Sequence, residues 1–367
     1  MMAQKIAAQK IVMGRTRWLR VPLEQPLGGG RITVAETFVV DLETDQGLTA
    51  RGFGCFFGAA GDVPYAAAKQ IIADHVVGKP FAHPEAFARD IRAAMFRYGL
   101  GAFSSGMAAA DIALWDLYAK ALGMPVGVAM GGRPRAVPVY RTFEFGLSRE
   151  ENCRLADAAL KDGMAGVKVH PHPTPDDERM VEAVGALVKG RGSFMVDSTR
   201  RCSLAQAIHL ANVCADAGAL WFEEPMFESD VDAYEMLARH SRVAIATGEA
   251  WHSLSEAQVF LSRRLCSVVQ PDLFQMGGFS ECLRVARAAE AFGVDVAPHT
   301  MPFLAVHLAA AAPNLTWLEQ LPLIDSLVGG SPRVDAQGRL SITDAPGLGL
   351  TWDEARASDY LVADAVA

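Results

Sequence analysis

Apolar and polar positions change their period partway along the chain, and the change divides it in two. Lys10 to Val21, Ile32 to Asp41 and Thr49 to Phe57 read as strands, with alternating or β-branched and aromatic positions. Pro22–Gly30, rich in Pro and Gly, reads as the loop between the first two, and Gly58-Ala59-Ala60-Gly61 as a flexible loop after the third. Tyr65 to His75, Pro84 to Tyr98 and Ser104 to Leu122 place apolar residues at helical spacing. Strands followed by helices predict a small α+β domain, with a boundary at Gly131-Gly132-Arg133-Pro134-Arg135.

Beyond that boundary short apolar runs alternate with longer amphipathic stretches. The runs are Val137–Phe143, Ala165–His170, Phe194–Thr199, Leu220–Glu224, Val243–Glu249, Val268–Leu273, Asp295–His299 and Thr316–Glu319. Stretches such as Arg149–Asp162, Asp176–Lys189 and Ser203–Ala217 suit the helices between them. Eight strands with helical connections predict a right-handed (β/α)7β barrel of the TIM type, an α/β fold. From about Leu321 the chain turns irregular, through Pro332, Gly338 and Pro346-Gly347. The expected organisation is an α+β cap over 1–133, a barrel carrying the active site over 134–320, and a segment over 321–367 that packs back on the cap.

The ends of the barrel runs carry the candidate chemistry. Asp197, Glu223 and Glu249 recur at one constant interval, each closing an apolar run. Strand ends of a parallel barrel converge on one face, so three acids would meet there. Such acids do not stay ionised together at neutral pH without a cation. Oxygen-only donors select a hard divalent ion, with Mg²⁺ the default. Lys168 and His170, at i and i+2 of one strand, share its inward face. Near a cation Lys168 would have a lowered pKa, suited to holding a substrate carboxylate or moving a proton. His299 is a candidate general base, and Asp272, one unit earlier, is placed to fix its tautomer. Glu319 would donate a hydrogen bond if its surroundings keep it protonated. Arg141, Thr142, Thr199 and Arg200 also stand at strand ends, where they would bind hydroxyls or a second carboxylate.

Composition removes several classes of function. A net charge of −8 argues against a nucleic-acid or anionic-membrane surface. No stretch approaches the roughly 18 apolar residues of a membrane span, and Met1 to Lys5 opens no apolar leader, so a cytoplasmic enzyme is expected. The six cysteines form no C-x-x-C pair and read as buried free thiols. Gly28-Gly29-Gly30 lacks dinucleotide-site spacing, and neither a P-loop nor a G-x-S-x-G element is present.

Assembled, these positions resemble the enolase superfamily, most closely its mandelate racemase subgroup. The resemblance spans nearly the whole chain. It includes Ala110-Asp111-Ile112-Ala113-Leu114-Trp115-Asp116-Leu117, Gly131-Gly132, Trp221-Phe222-Glu223-Glu224-Pro225, Thr247-Gly248-Glu249, Gln270-Pro271-Asp272 and Trp317-Leu318-Glu319. It implies that Asp197, Glu223 and Glu249 bind Mg²⁺, that His299 oriented by Asp272 is a base on one face of the substrate, and that Glu319 hydrogen-bonds the developing enolate. Lys168 matches the first lysine of the subgroup's K-x-K motif; the second is His170 here, a departure that weakens a two-base racemase mechanism. The resemblance implies a small-molecule carboxylate substrate, a symmetric homo-oligomer, and dehydration of a sugar acid to a 2-keto-3-deoxy acid. Racemisation or epimerisation of a 2-hydroxy acid is the alternative, and a non-catalytic sugar-acid binding protein a lesser one. Specificity would reside in capping loops at Pro22–Arg31 and Phe53–Val63.

Overall fold

A computed structural model describes residues 9–95, 97 and 99–367. Phe96 and Tyr98 of the expected second helix, and the first eight residues, lie outside the described residues. The N-terminal part forms an antiparallel sheet from β1 (Ile11–Leu27), β2 (Ile32–Thr44) and β3 (Thr49–Phe57). Helices α1 (Asp62–Ile71), continued by a π-helical turn over Ile72–Val76, α2 (Pro84–Met95), α3 (Gly101–Leu122) and the short α4 (Val126–Ala129) follow.

The segment Pro22–Leu27, expected as loop, extends β1 instead. Pro22 pairs with Val34 and Leu27 with Ile32, and the register shifts between these pairs. A proline needs no ladder donor at such an irregularity, so the turn tightens to Gly28–Arg31.

The barrel begins at β4 (Val137–Thr142) and proceeds through α5 (Arg149–Lys161), β5 (Gly166–Val169), α6 (Pro175–Val188), β6 (Ser193–Asp197), α7 (Leu204–Asp216) and β7 (Trp221–Glu223). It continues with α8 (Val231–His240), β8 (Ala244–Thr247), α9 (Leu254–Arg263), β9 (Val268–Val269), α10 (Phe279–Phe292), β10 (Asp295–Val296), α11 (Pro302–Ala311) and β11 (Leu318–Gln320). The parallel strands lie in the order β10-β9-β8-β7-β6-β5-β4-β11. A parallel bridge between Val296 and Leu315 closes the ring, with the Thr316 N–H donating to the Val296 carbonyl at 2.9 Å. This is the (β/α)7β barrel read from the sequence, with shorter strands.

Local chemistry explains where each helix starts. Ser148, Thr174 and Asp230 accept from backbone N–H groups of the first turns of α5, α6 and α8. Ser203 with Gln206 and Ser253 with Glu256 form capping boxes on α7 and α9. Each cap contributes about 1 kcal/mol and fixes the loop between a strand end and its helix.

Alternation then decides what enters the barrel. Tyr140, Met195, Trp221, Ala246, Val268 and Ala297 pack as one buried cluster inside it. Two residues further along the same strands the parity puts Thr142, Asp197, Glu223, Gly248, Gln270 and His299 at the upper rim.

After β11 come β12 (Val328–Gly329), β13 (Arg339–Leu340), β14 (Thr351–Trp352), α12 (Glu354–Asp359) and β15 (Leu361–Val366). β15 pairs antiparallel with β1 and makes the N-terminal sheet four-stranded. Helix α3 joins the parts. Asp111 accepts from the Ser280 N–H and hydroxyl of α10 at 3.0 and 2.5 Å, and the Trp115 indole donates to the same hydroxyl at 2.9 Å. Asp116 accepts from the N–H groups of Arg51 in β3 and Leu348 in the C-terminal segment. Cys55, Cys153, Cys202, Cys214, Cys266 and Cys282 are all free thiols, Cys153 being partly exposed. Among the described residues no helix is long and apolar enough to cross a membrane.

Candidate active site

Lys168 is the hub of the upper rim. Its ammonium, 1% exposed, donates to Glu223 Oε1 at 2.7 Å and lies 2.8 Å from Glu319 Oε1 and 3.5 Å from Asp197 Oδ2. Burial works against its charge, but these carboxylates outweigh it and raise its pKa well above the usual lysine value. The lowering expected from sequence was the effect of a neighbouring divalent cation, whereas the neighbours that act on Lys168 here are carboxylates.

Glu319 also differs from expectation. It accepts from the Thr142 hydroxyl and from the Thr300 N–H at 3.0 Å. Burial would raise its pKa, yet Lys168 and His299 hold it below the usual range. Glu319 is therefore a carboxylate that accepts hydrogen bonds, and the protonated donor read from sequence is not what these surroundings favour.

Asp197 accepts from the Thr199 N–H at 2.7 Å and faces His170 Nε2 at 3.1 Å. Burial is opposed by Lys168, His170 and that N–H, and its pKa falls below the usual carboxylate range. Glu223 accepts from the Trp221 indole at 3.1 Å. Burial, together with Asp197, Glu319 and Glu249 and against Lys168, pushes it up to about 8.

On the far side of the rim His299 Nδ1 meets Asp272 Oδ2 at 2.7 Å, and their strands are bridged at these two residues. The N–H groups of Phe274 and Gln275 bind the other Asp272 oxygen at 2.7 and 2.9 Å and fix its orientation. His299 Nε2 stands 3.3 Å from Glu249 Oε2. Burial lowers the imidazole pKa, but Glu249, Asp272 and Glu319 raise it to about 10.

Glu249 itself is off the inward parity. It follows Gly248, whose φ of 131° suits a residue without Cβ. Its Oε1 lies 3.2 Å from Arg200, which also meets Glu224 at 2.7 Å and Glu228 at 3.3 Å. Arg200 is thus engaged by three acids and not open to a substrate. Thr142 and the Thr199 backbone serve Glu319 and Asp197. Arg141 alternates to the outer face, where burial lowers its pKa and Asp325 and Asp162 raise it.

Sequence reading passed over three further groups. Glu224 and Glu228 join Glu249 around Arg200; the doubled acid Glu223-Glu224 was the available signal. The Gln270 side chain is buried with neither amide atom partnered. Its parity with Asp272 could have exposed it.

The three expected metal ligands end adjacent strands, and Asp197 pairs in register with Glu223. Among the described residues no three His, Cys, Asp or Glu side chains are gathered closely enough to hold an ion as they stand. Lys168 draws Glu223, and Arg200 and His299 draw Glu249. The donor set nevertheless fits a hard divalent cation. All its donors are oxygens, and the upward push on Glu223 comes partly from Asp197 and Glu249, a repulsion that a cation among them would relieve.

Two loops cover this rim. Glu144 accepts from the Gly28 N–H of the first hairpin at 2.7 Å. Phe56, Phe57 and Val63 line a cavity of about 370 Å³ with His252 and Gln275 from the barrel loops. Another cleft, of about 460 Å³, lies between the N-terminal sheet and the C-terminal segment. Its Arg15, Arg51 and Lys120 are already paired with Asp364, Asp41 and Asp116, so it offers no free charge for chemistry.

A closed parallel barrel with its ionisable side chains gathered at the C-terminal strand ends, under a cap, is the architecture of a barrel enzyme. Residues 11–131 match the family described as mandelate racemase / muconate lactonizing enzyme, N-terminal domain, and residues 152–356 the enolase C-terminal domain-like family. The chain belongs to the mandelate racemase / muconate lactonizing enzyme family, within the enolase superfamily. It is 28% identical to an L-talarate/galactarate dehydratase of Salmonella typhimurium, over 93% of this chain and 89% of that protein. It is 29% identical to a D-galactonate dehydratase of Xanthomonas oryzae pv. oryzae, over 85% of this chain and 88% of the relative. The structure of an L-talarate dehydratase from Polaromonas sp. JS666, complexed with Mg and L-glucarate, superposes with a TM-score of 0.91 at 26% identity, covering 98% of this chain and 99% of that one.

Proposed function

We propose that the protein is a Mg²⁺-dependent hydro-lyase that dehydrates a sugar acid to a 2-keto-3-deoxy acid. The observation that carries this is the His299–Asp272 pair facing Lys168 across the rim, with acids between them. Asp197, Glu223 and Glu249 would hold Mg²⁺, which supplies charge neutralisation for a substrate carboxylate as it gains electron density.

The chain's own residues account for the remaining steps. Lys168 presents a fixed positive charge where that carboxylate binds, and Glu223 and Glu319 hold it there. The C2–H bond breaks, its proton passes to a base, and its electron pair enters the C1–C2 bond. The electron pair then moves from C1–C2 into C2–C3, restoring the carboxylate, as the C3–O bond breaks and the departing hydroxyl takes a proton and leaves as water. Tautomerisation of the resulting enol gives the keto acid. His299 is placed for one of these proton transfers, with Asp272 fixing Nδ1–H so that Nε2 faces the substrate. His170, in contact with Asp197, stands on the other side.

This reading carries with it the cap at 1–133, the barrel at 134–320 and the returning segment at 321–367, supported by the pairing of β15 with β1. It also carries a cytoplasmic homo-oligomer, for which light scattering on the purified protein is the test of assembly.

The deciding experiment is conversion of galactarate, talarate, galactonate and gluconate by wild type, by Asp272→Asn and by wild type in EDTA. Keto acid from at least one substrate, lost in EDTA and reduced at least about 100-fold in the variant, is expected. No keto acid from any of the four, or full activity in chelator, overturns the proposal.

A further inference from the structure

The β6–α7 loop contains two consecutive arginines with opposite fates. Thr199 and Arg200, neither a glycine, both adopt left-handed backbone conformations, with φ of 46° and 63°. Such conformations are disfavoured for residues with a Cβ and persist where the surrounding structure requires the turn. The turn drops Arg200 toward β7 and β8, where Glu224, Glu228 and Glu249 consume its charge. Arg201 is sent the other way, toward β4 and β5.

There it meets only neutral or titratable rings. Its guanidinium carbon lies 5.3 Å from the Phe145 ring centre, and Nη1 is 2.7 Å from His172 Nε2. Among the described residues no carboxylate pairs with it, whereas Arg200, its neighbour, has three. The Phe145 ring lies in turn 4.3 Å from the His170 ring, whose Nε2 touches Asp197. The guanidinium is therefore no further from His170 than those two separations end to end. Arg201 thus shares the Phe145 ring with His170, on the rim where Asp197 meets both His170 and Lys168. Arg201 is exposed, and stacking on Phe145 leaves its N–H edge available for the planar, two-point binding of a carboxylate.

We propose that Arg201 receives the far carboxylate of a dicarboxylic sugar acid, so that the substrates are aldarates rather than aldonates. The proposal rests on the reading of this rim as a sugar-acid site and specifies which acids enter it. Phe145 holds the guanidinium plane, and His172, itself held by Asp177 through Nδ1 at 3.3 Å, sets its position along the rim.

The test uses galactarate and galactonate, which differ only in oxidation at C6, in the Mg²⁺-loaded full chain. Turnover is measured in wild type, Arg201→Met and Arg201→Lys. Affinity is measured by calorimetry for wild type and Arg201→Met, each also carrying His299→Asn to suppress turnover. Wild type should prefer galactarate. Arg201→Met should lose about 10- to 100-fold in kcat/KM and affinity for galactarate, while galactonate values stay within about 3-fold. Arg201→Lys should recover part of the galactarate loss. Unchanged galactonate affinity in Arg201→Met also shows that the variant is folded. Keto acid formation with no galactarate-specific effect of Arg201 overturns this proposal and leaves the dehydratase reading standing. Arg201-dependent preference for galactarate binding without keto acid does the reverse, and neither result in either assay overturns both.

Discussion

His307 gives a quantitative check on the packing that joins the cap, the barrel and the C-terminal segment. It lies in α11, 2% exposed, and accepts from the Gly127 N–H of α4 through Nδ1 at 3.2 Å. Its Nε2 faces the Leu348 carbonyl of the C-terminal segment at 3.2 Å. Only the neutral imidazole satisfies both neighbours, as acceptor on one nitrogen and donor on the other. Burial lowers its pKa from 6.5 to about 4. Above pH 6.5 both folded and unfolded chains carry it neutral. Between pH 6.5 and about 4 the unfolded chain binds a proton that the folded chain refuses, so stability falls as pH falls. At 1.36 kcal/mol per pKa unit the loss is about 3 kcal/mol, complete once pH is below about 4. The assay is urea unfolding of wild type and His307→Asn at steps from pH 7.5 to 4. The variant should be about 1–3 kcal/mol less stable at pH 7.5, because the Leu348 carbonyl loses its donor. Toward pH 4 the difference should shrink or change sign. A difference that is the same at every pH would show that His307 titrates normally and refute the reasoning.

Other perturbations address the site and its frame. His299→Asn should lower kcat by about 100- to 10,000-fold; if it still exchanges the C2 hydrogen with deuterated water, followed by NMR, then His299 protonates the leaving hydroxyl, and if exchange also stops, it removes the C2 proton. Full turnover in that variant would exclude both roles. Glu223→Gln should raise the Mg²⁺ concentration for half-maximal activity by more than about 10-fold, while chelated protein stays within about 1 kcal/mol of wild-type stability, since this carboxyl already bears the cost of burial; an unchanged Mg²⁺ requirement would remove Glu223 from the ligand set. Gly52→Ala places a Cβ 2.2 Å from the Ala109 carbonyl and the Ala113 nitrogen of α3, both backbone atoms. It should cost at least about 2 kcal/mol in unfolding experiments, and a neutral result would show that β3 and α3 are not rigidly apposed.

The strand ends were legible because two periodicities agree there. In a short parallel strand the inward positions are every second residue, and the acid or base that closes an apolar run inherits that parity. This is why Lys168, Asp197, Glu223, Asp272, His299 and Glu319 could all be placed at one opening from sequence. Where parity is broken, the reading lost its grip. Glu249 lies beyond Gly248, and its side chain is governed by Arg200 and His299 rather than by strand alternation. The left-handed pair Thr199–Arg200 has no glycine or asparagine to announce it, so the opposite directions of Arg200 and Arg201 are decided by the acids waiting on one side and the Phe145 ring on the other. Likewise β1 runs through two prolines because β2 lies beside it, and is flanked by β15 from the far end of the chain. Local propensity cannot carry such partners; they enter only through contacts that close over long stretches of sequence. The charge balance of the rim was hidden for the same reason. Each acid could be named singly, but whether it is ionised depends on which cation faces it, and Lys168 beside Glu319 makes that residue an acceptor, so the condition on which it would have been a donor is not met.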